Sequence, residues 1–106
     1  MIVAAALTVP APAQVLKLDL DADHRLDTVV LHQTPTQITI TVRYGNPARK
    51  PDVFHFAVDA NREDAVCATP VHLERETHGF AVVDERCDSL HFYWDRKTHR
   101  TLYWRL

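Results

Sequence analysis

Apolar residues in this chain recur at every second position, in short runs, and no window long enough for a helix shows helical spacing. Leu16, Leu18 and Leu20 alternate with Val15, Lys17 and Asp19, and Val29 and Leu31 share a face across Val30. Ile38, Ile40, Val42 and Tyr44 alternate with Thr39, Thr41 and Arg43, the clearest half-buried strand in the chain. Phe54, Phe56 and Val58 form the next face, and Val71 with Leu73 the one after. Phe80 with Val82, then Leu90, Phe92 and Trp94, then Leu102, Trp104 and Leu106 complete the set. The pattern predicts an all-β meander or sandwich of about eight antiparallel strands.

Turn residues separate these runs. Gln33-Thr34-Pro35-Thr36 fits a hairpin loop with Pro35 at the second turn position, which pairs Leu31 with Ile38 and Val29 with Ile40. Tyr44 to Asp52 contains Gly-Asn-Pro and Lys-Pro-Asp and is the longest predicted loop, basic through Arg43, Arg49 and Lys50. Glu76-Thr77-His78-Gly79 reads as a turn. For the apolar sets of the last hairpin to share a face, Phe92 must oppose Trp104 and Trp94 must oppose Leu102.

A chain of 106 residues is one domain with a modest core. Its formal charge of −2 argues against a nucleic-acid binder, which would carry a basic face. Residues 1–13 stand apart: Ile2 to Val9 is apolar, Pro10-Ala11-Pro12-Ala13 follows, and Ala11-x-Ala13 suits signal peptidase. The run is too short to span a bilayer, and the positive segment that opens such signals is missing. The expected reading is an export signal followed by a domain over 14–106 in the periplasm. Cys67 and Cys87 lack metal-ligand spacing, and in an exported chain two such residues read as one disulfide.

Asp19, Asp21, Asp23 and Asp27 put four carboxylates into nine residues just ahead of a strand. Like charges that close require a counter-charge. Ca²⁺ takes about six to eight oxygens from loops whose first, third and fifth residues wrap the ion, with a backbone carbonyl at the seventh and a ninth residue often acting through water. Those positions are Asp19, Asp21, Asp23, the carbonyl of Arg25, and Asp27. His24 replaces the usual glycine at the sixth position, which requires a positive φ at a non-glycine residue. Val30 stands where a helical calcium loop carries its bidentate Glu. The stretch instead resembles the FG-GAP calcium loops of integrin-type propellers; a solvated acidic turn is the alternative the residues leave open. Asp59, Asn61 and Glu63 echo the spacing, but Cys67 stands at the ninth position, and this stretch reads as an Asx-capped turn.

Catalytic chemistry has little to stand on. The single serine, Ser89, lies in no nucleophile motif, and the seven histidines have no ligand spacing. The chain reads as a non-enzyme.

The acidic box running into Thr28-Val29-Val30-Leu31, the two cysteines, and the end Cys87-Asp88-Ser89-Leu90-His91-Phe92-Tyr93-Trp94-Asp95 with Leu102-Tyr103-Trp104-Arg105 resemble a group of small bacterial periplasmic proteins. That group includes immunity proteins against lysozyme-like effectors of type IV secretion systems, similar in turn to inhibitors of invertebrate-type lysozyme. The resemblance implies an all-β, calcium-binding inhibitor that pushes a loop into the cleft of a peptidoglycan hydrolase. The Ser-Gly-x-x-Tyr loop of other lysozyme inhibitors is absent. Tyr44, Asn46, Arg49 and Lys50 are the substitute contact residues, since a proline-braced loop loses little entropy on docking and its cations suit a catalytic carboxylate. The alternative is a calcium-stabilised module for carbohydrate or adhesion with no enzyme partner.

Overall fold

The computed structural model describes residues 13–106; the export signal expected ahead of Gln14, all but its last residue, lies outside them. Eight strands follow one another: β1 (Gln14–Leu18), β2 (Asp27–Gln33), β3 (Gln37–Arg43), β4 (Asp52–Ala57), β5 (His72–Glu76), β6 (Gly79–Val83), β7 (Leu90–Asp95) and β8 (Arg100–Trp104). They form two four-stranded antiparallel sheets in the orders β1-β2-β3-β4 and β5-β6-β7-β8. The all-β expectation therefore holds, with each sheet a plain meander.

Alternation explains why the sheets pack face to face. Val29, Leu31, Ile38, Ile40, Val42 and Phe56 turn inward from the first sheet, and Phe80, Val82, Leu90 and Phe92 from the second, into one buried cluster. Phe92 lies at its centre, stacked on Phe80 at 4.8 Å between centroids and met edge-on by Phe54 at 5.1 Å from the opposite sheet. The small residue at Gly79 permits close approach of β6 to β7, because a Cβ there would stand 1.9 Å from the Phe92 carbonyl oxygen.

Two registers differ from expectation. In the β2–β3 hairpin Leu31 faces Ile40, Val29 faces Val42, and Gln33 faces Ile38. The register is offset by two residues because β2 runs one residue further, through Gln33, which although polar and buried is satisfied across the sandwich. Its amide accepts the Val71 N–H at 2.8 Å and donates to the Val71 carbonyl at 3.0 Å. In the last hairpin Phe92 faces Tyr103 and Trp94 faces Thr101, so Thr101 and Tyr103 point inward instead of Leu102 and Trp104. Asp95 caps the turn by accepting the Thr98 N–H, and the His99 N–H closes it on the Asp95 carbonyl. The buried Thr101 is then held by a polar network from the other sheet, described below.

The disulfide joins Cys67 and Cys87 with Cα atoms 5.9 Å apart and brackets the β5–β6 hairpin, as expected. In the chain-entropy account, closing a loop of this size contributes on the order of 3 kcal/mol. Beside it, the buried Asp84 accepts the Cys67 N–H at 2.7 Å and the Arg86 N–H at 3.0 Å.

Candidate functional site

The chain between β1 and β2 is the acidic box, and its fold follows from its aspartates. Asp19 accepts the N–H of Asp23 at 3.2 Å and of His24 at 2.9 Å, and Asp23 accepts that of Arg25 at 2.9 Å. These bonds curl the backbone tightly enough that Ala22 and His24 take φ of 59° and 66°. His is enriched among the non-glycine residues that adopt this left-handed region, and Ala22 is held there by the bonds that span it. Carboxylate oxygens of Asp19, Asp21 and Asp23 consequently lie within 4.8 Å of one another.

Asp21 is the unusual member. Its side chain is 1 % exposed and neither oxygen has a hydrogen-bond partner. The Arg49 Nε, 3.5 Å from Oδ2, is its ion-pair neighbour, and that nitrogen also lacks a hydrogen bond. Buried polar groups are nearly always hydrogen-bonded, and a buried carboxylate with an ion-pair neighbour but no hydrogen-bond donor is disfavoured. Three converging carboxylates, one of them buried without a donor, suit a hard divalent cation.

Burial first, and then the Asp27 and Asp23 carboxylates, push Asp21 up from 3.8 to about 6. Asp23 is held low, chiefly by the Arg25 N–H. Because the folded value of Asp21 lies above the unfolded one, the folded chain binds the extra proton in that interval. The stability from this group is fully present below pH 3.8 and is lost as pH rises through about 6. In metal-free buffer, melting curves from pH 4 to 7 are expected to show this fall for the wild type and a flatter profile for Asp21→Asn. An unchanged profile in the variant would assign the fall to other groups.

Asp27, the ninth residue of the box, faces the other way. It is fully buried; one oxygen accepts the Leu20 N–H at 2.8 Å and the Asp21 N–H at 3.4 Å, while the other accepts the Gly45 N–H at 2.8 Å. The box is thereby fastened to the loop 44–52. The contact is close: a Cβ at Gly45 would lie 2.6 Å from the Leu26 carbonyl oxygen and 2.8 Å from the Arg25 Cβ. The structure thus brings together two stretches that the sequence reading treated separately.

The loop itself is pinned at several points. The Tyr44 hydroxyl donates to Asp52 and meets the Thr101 hydroxyl, and the Thr101 N–H donates to Asp52 at 3.1 Å. Burial, and then Asp52, push Tyr44 well above the ordinary phenol range, so it stays neutral. Asn46 caps the turn by accepting the Ala48 N–H at 3.0 Å. Arg49 turns inward, its guanidinium 4.6 Å from the Trp94 ring centroid and 5.6 Å from that of Tyr44. Pro47, Ala48, Lys50 and Pro51 are exposed.

Sequence reasoning missed Trp94 and Thr101 as parts of this site. Both come from the second sheet, and only the spacing of Trp94 within an inward-facing set hinted at its direction. The turn after β4 is Asx-capped as expected, with Asp59 accepting the Asn61 N–H at 2.9 Å, and Arg62 pairs with Asp64. No family model, no curated protein and no solved structure matches the chain. Among the described residues no helix is long and apolar enough to cross a membrane.

Proposed function

We propose that the chain is a non-catalytic periplasmic inhibitor or immunity protein that blocks the cleft of a lysozyme-like peptidoglycan hydrolase with the loop 44–52. Ca²⁺ at Asp19, Asp21 and Asp23 steadies the frame from which that loop projects. The observation that carries the reading is the locking of the loop. Asp27, Tyr44, Asn46 and Arg49 fasten its base and flank, while Pro47, Ala48, Lys50 and Pro51 stay open to a partner. A loop already ordered before docking loses little entropy on binding, and a rigid exposed cation suits a cleft lined with carboxylates. Lys50 is the exposed cation of this loop, since Arg49 is engaged by Trp94.

The test is peptidoglycan turbidity clearing by lysozymes of several structural classes, with the protein at micromolar concentration. Slowed clearing by at least one class, weakened by Lys50→Glu, is the expected result. No slowing in any class would overturn the inhibitor reading. The carbohydrate-binding alternative draws on Tyr93 and Trp104, exposed on the second sheet, and predicts uptake of soluble peptidoglycan fragments that Trp104→Ala abolishes.

The metal part has its own measurement. With an affinity near the 10⁻⁴ M end of the range for extracellular calcium modules, millimolar Ca²⁺ is expected to add about 1–2 kcal/mol of stability. Chelation should lower the melting temperature accordingly, and Asp21→Ala should remove the response. A melt indifferent to calcium at millimolar concentration would defeat this reading.

A further inference from the structure

We infer that a divalent cation at Asp19, Asp21 and Asp23 draws Asp21 away from Arg49, so that ion binding and the charge offered by the loop 44–52 are thermodynamically coupled. The inference rests on the cation reading above and adds the residue that tunes it. Asp21 is the carboxylate of the cluster in ion-pair contact with Arg49, while Asp23 feels the Arg49 and Arg25 charges more weakly. The Arg49 Nε lies 3.5 Å from its Oδ2, yet no hydrogen bond joins them, and both atoms are buried without another polar partner. The guanidinium is held by Trp94 and Tyr44, whose rings keep it over the indole whether or not Asp21 attracts it.

Charge decides the direction. Asp21 contributes one negative charge, and an ion coordinated by it spends that charge at the expense of Arg49. A cation of charge +2 beside the guanidinium also repels it directly, with an energy that grows as the separation shrinks. Arg49 therefore weakens the ion, and by reciprocity the ion weakens the hold of Asp21 on Arg49. With Asp21 so engaged, only the ring contacts retain the guanidinium. Its charge, no longer balanced by Asp21, then adds to the positive field that exposed Lys50 offers to a partner, while the guanidinium itself stays on the rings.

The experiment is calorimetric titration of the chain with CaCl₂ at fixed ionic strength, for the wild type, Arg49→Gln, Arg49→Lys and Asp21→Asn. Trp94 fluorescence is followed in parallel in a Trp104→Phe background. Arg49→Gln is expected to bind Ca²⁺ about fivefold more tightly than the wild type. Arg49→Lys, which keeps the charge, should stay near the wild-type value, and Asp21→Asn should lose binding. Calcium should shift Trp94 emission in the wild type and not in Arg49→Gln. Equal or weaker binding by Arg49→Gln, with Trp94 emission insensitive to calcium, overturns the coupling and leaves the cation site standing. No calcium uptake by either the wild type or Arg49→Gln overturns the site and the coupling with it.

Discussion

Asp27→Ala is expected to destabilise the domain by about 3–5 kcal/mol, because it strips three backbone donors of a charged acceptor at once. The Leu20, Asp21 and Gly45 N–H groups all point at this fully buried carboxylate. Asp27→Asn retains one acceptor oxygen but turns an amide nitrogen toward at least one of those donors, so a loss of about 1.5–3 kcal/mol is expected. Urea denaturation followed by tryptophan fluorescence reads both. The pair also separates structure from metal binding: Asp27→Asn should keep its calcium-dependent melting shift, whereas Asp21→Asn should lose it. A calcium response that disappears with Asp27→Asn and survives Asp21→Asn would reverse the two roles.

Phe92→Ala should lose about 3–5 kcal/mol, a large fraction of the stability expected for a domain of this size. Phe92 is 1 % exposed and touches aromatic rings on both sheets: Phe80 beside it, Phe54 and Phe56 across the interior, and Tyr103 on β8. Removing it opens a cavity bounded by groups fixed in two separate sheets, which cannot close without moving one sheet against the other. Tyr93, its neighbour on the outer face, provides the control; Tyr93→Ala should change stability by less than about 1 kcal/mol. Equal losses for the two variants would mean that the face assignment of β7 is mistaken.

Much of this fold is legible as alternation. Seven of the eight strands coincide with a run in which apolar residues fall at every second position, β5 holding only Leu73 of its Val71–Leu73 pair, and the cysteines find each other at the base of the hairpin they bracket. The clustering of Asp19, Asp21 and Asp23 also follows from spacing, since short polar side chains curl the backbone locally. What alternation leaves ambiguous is register where both faces carry apolar residues. In β8, Leu102 and Trp104 compete with Tyr103 for the interior, and the choice falls to Thr101, whose polar partners Tyr44 and Asp52 lie far away in the chain. Gln33 extends its hairpin for the same kind of reason, through bonds to Val71 across the sandwich. Asp27 illustrates the limit most clearly. Its spacing from Asp19 suits an ion, but its oxygens are taken by N–H groups, one of them on Gly45. Spacing reports what a side chain could reach, and long-range partners decide what it does reach.

The meander order has a kinetic corollary. Every ladder joins strands adjacent in sequence, so no pairing needs a distant segment to arrive first. Loop-closure entropy is therefore met in small instalments, which places the domain toward the fast end for β-proteins. For a chain that emerges from its N-terminus, β1 to β4 can zip together while β5 to β8 are still arriving, and the later strands find a completed template to condense on.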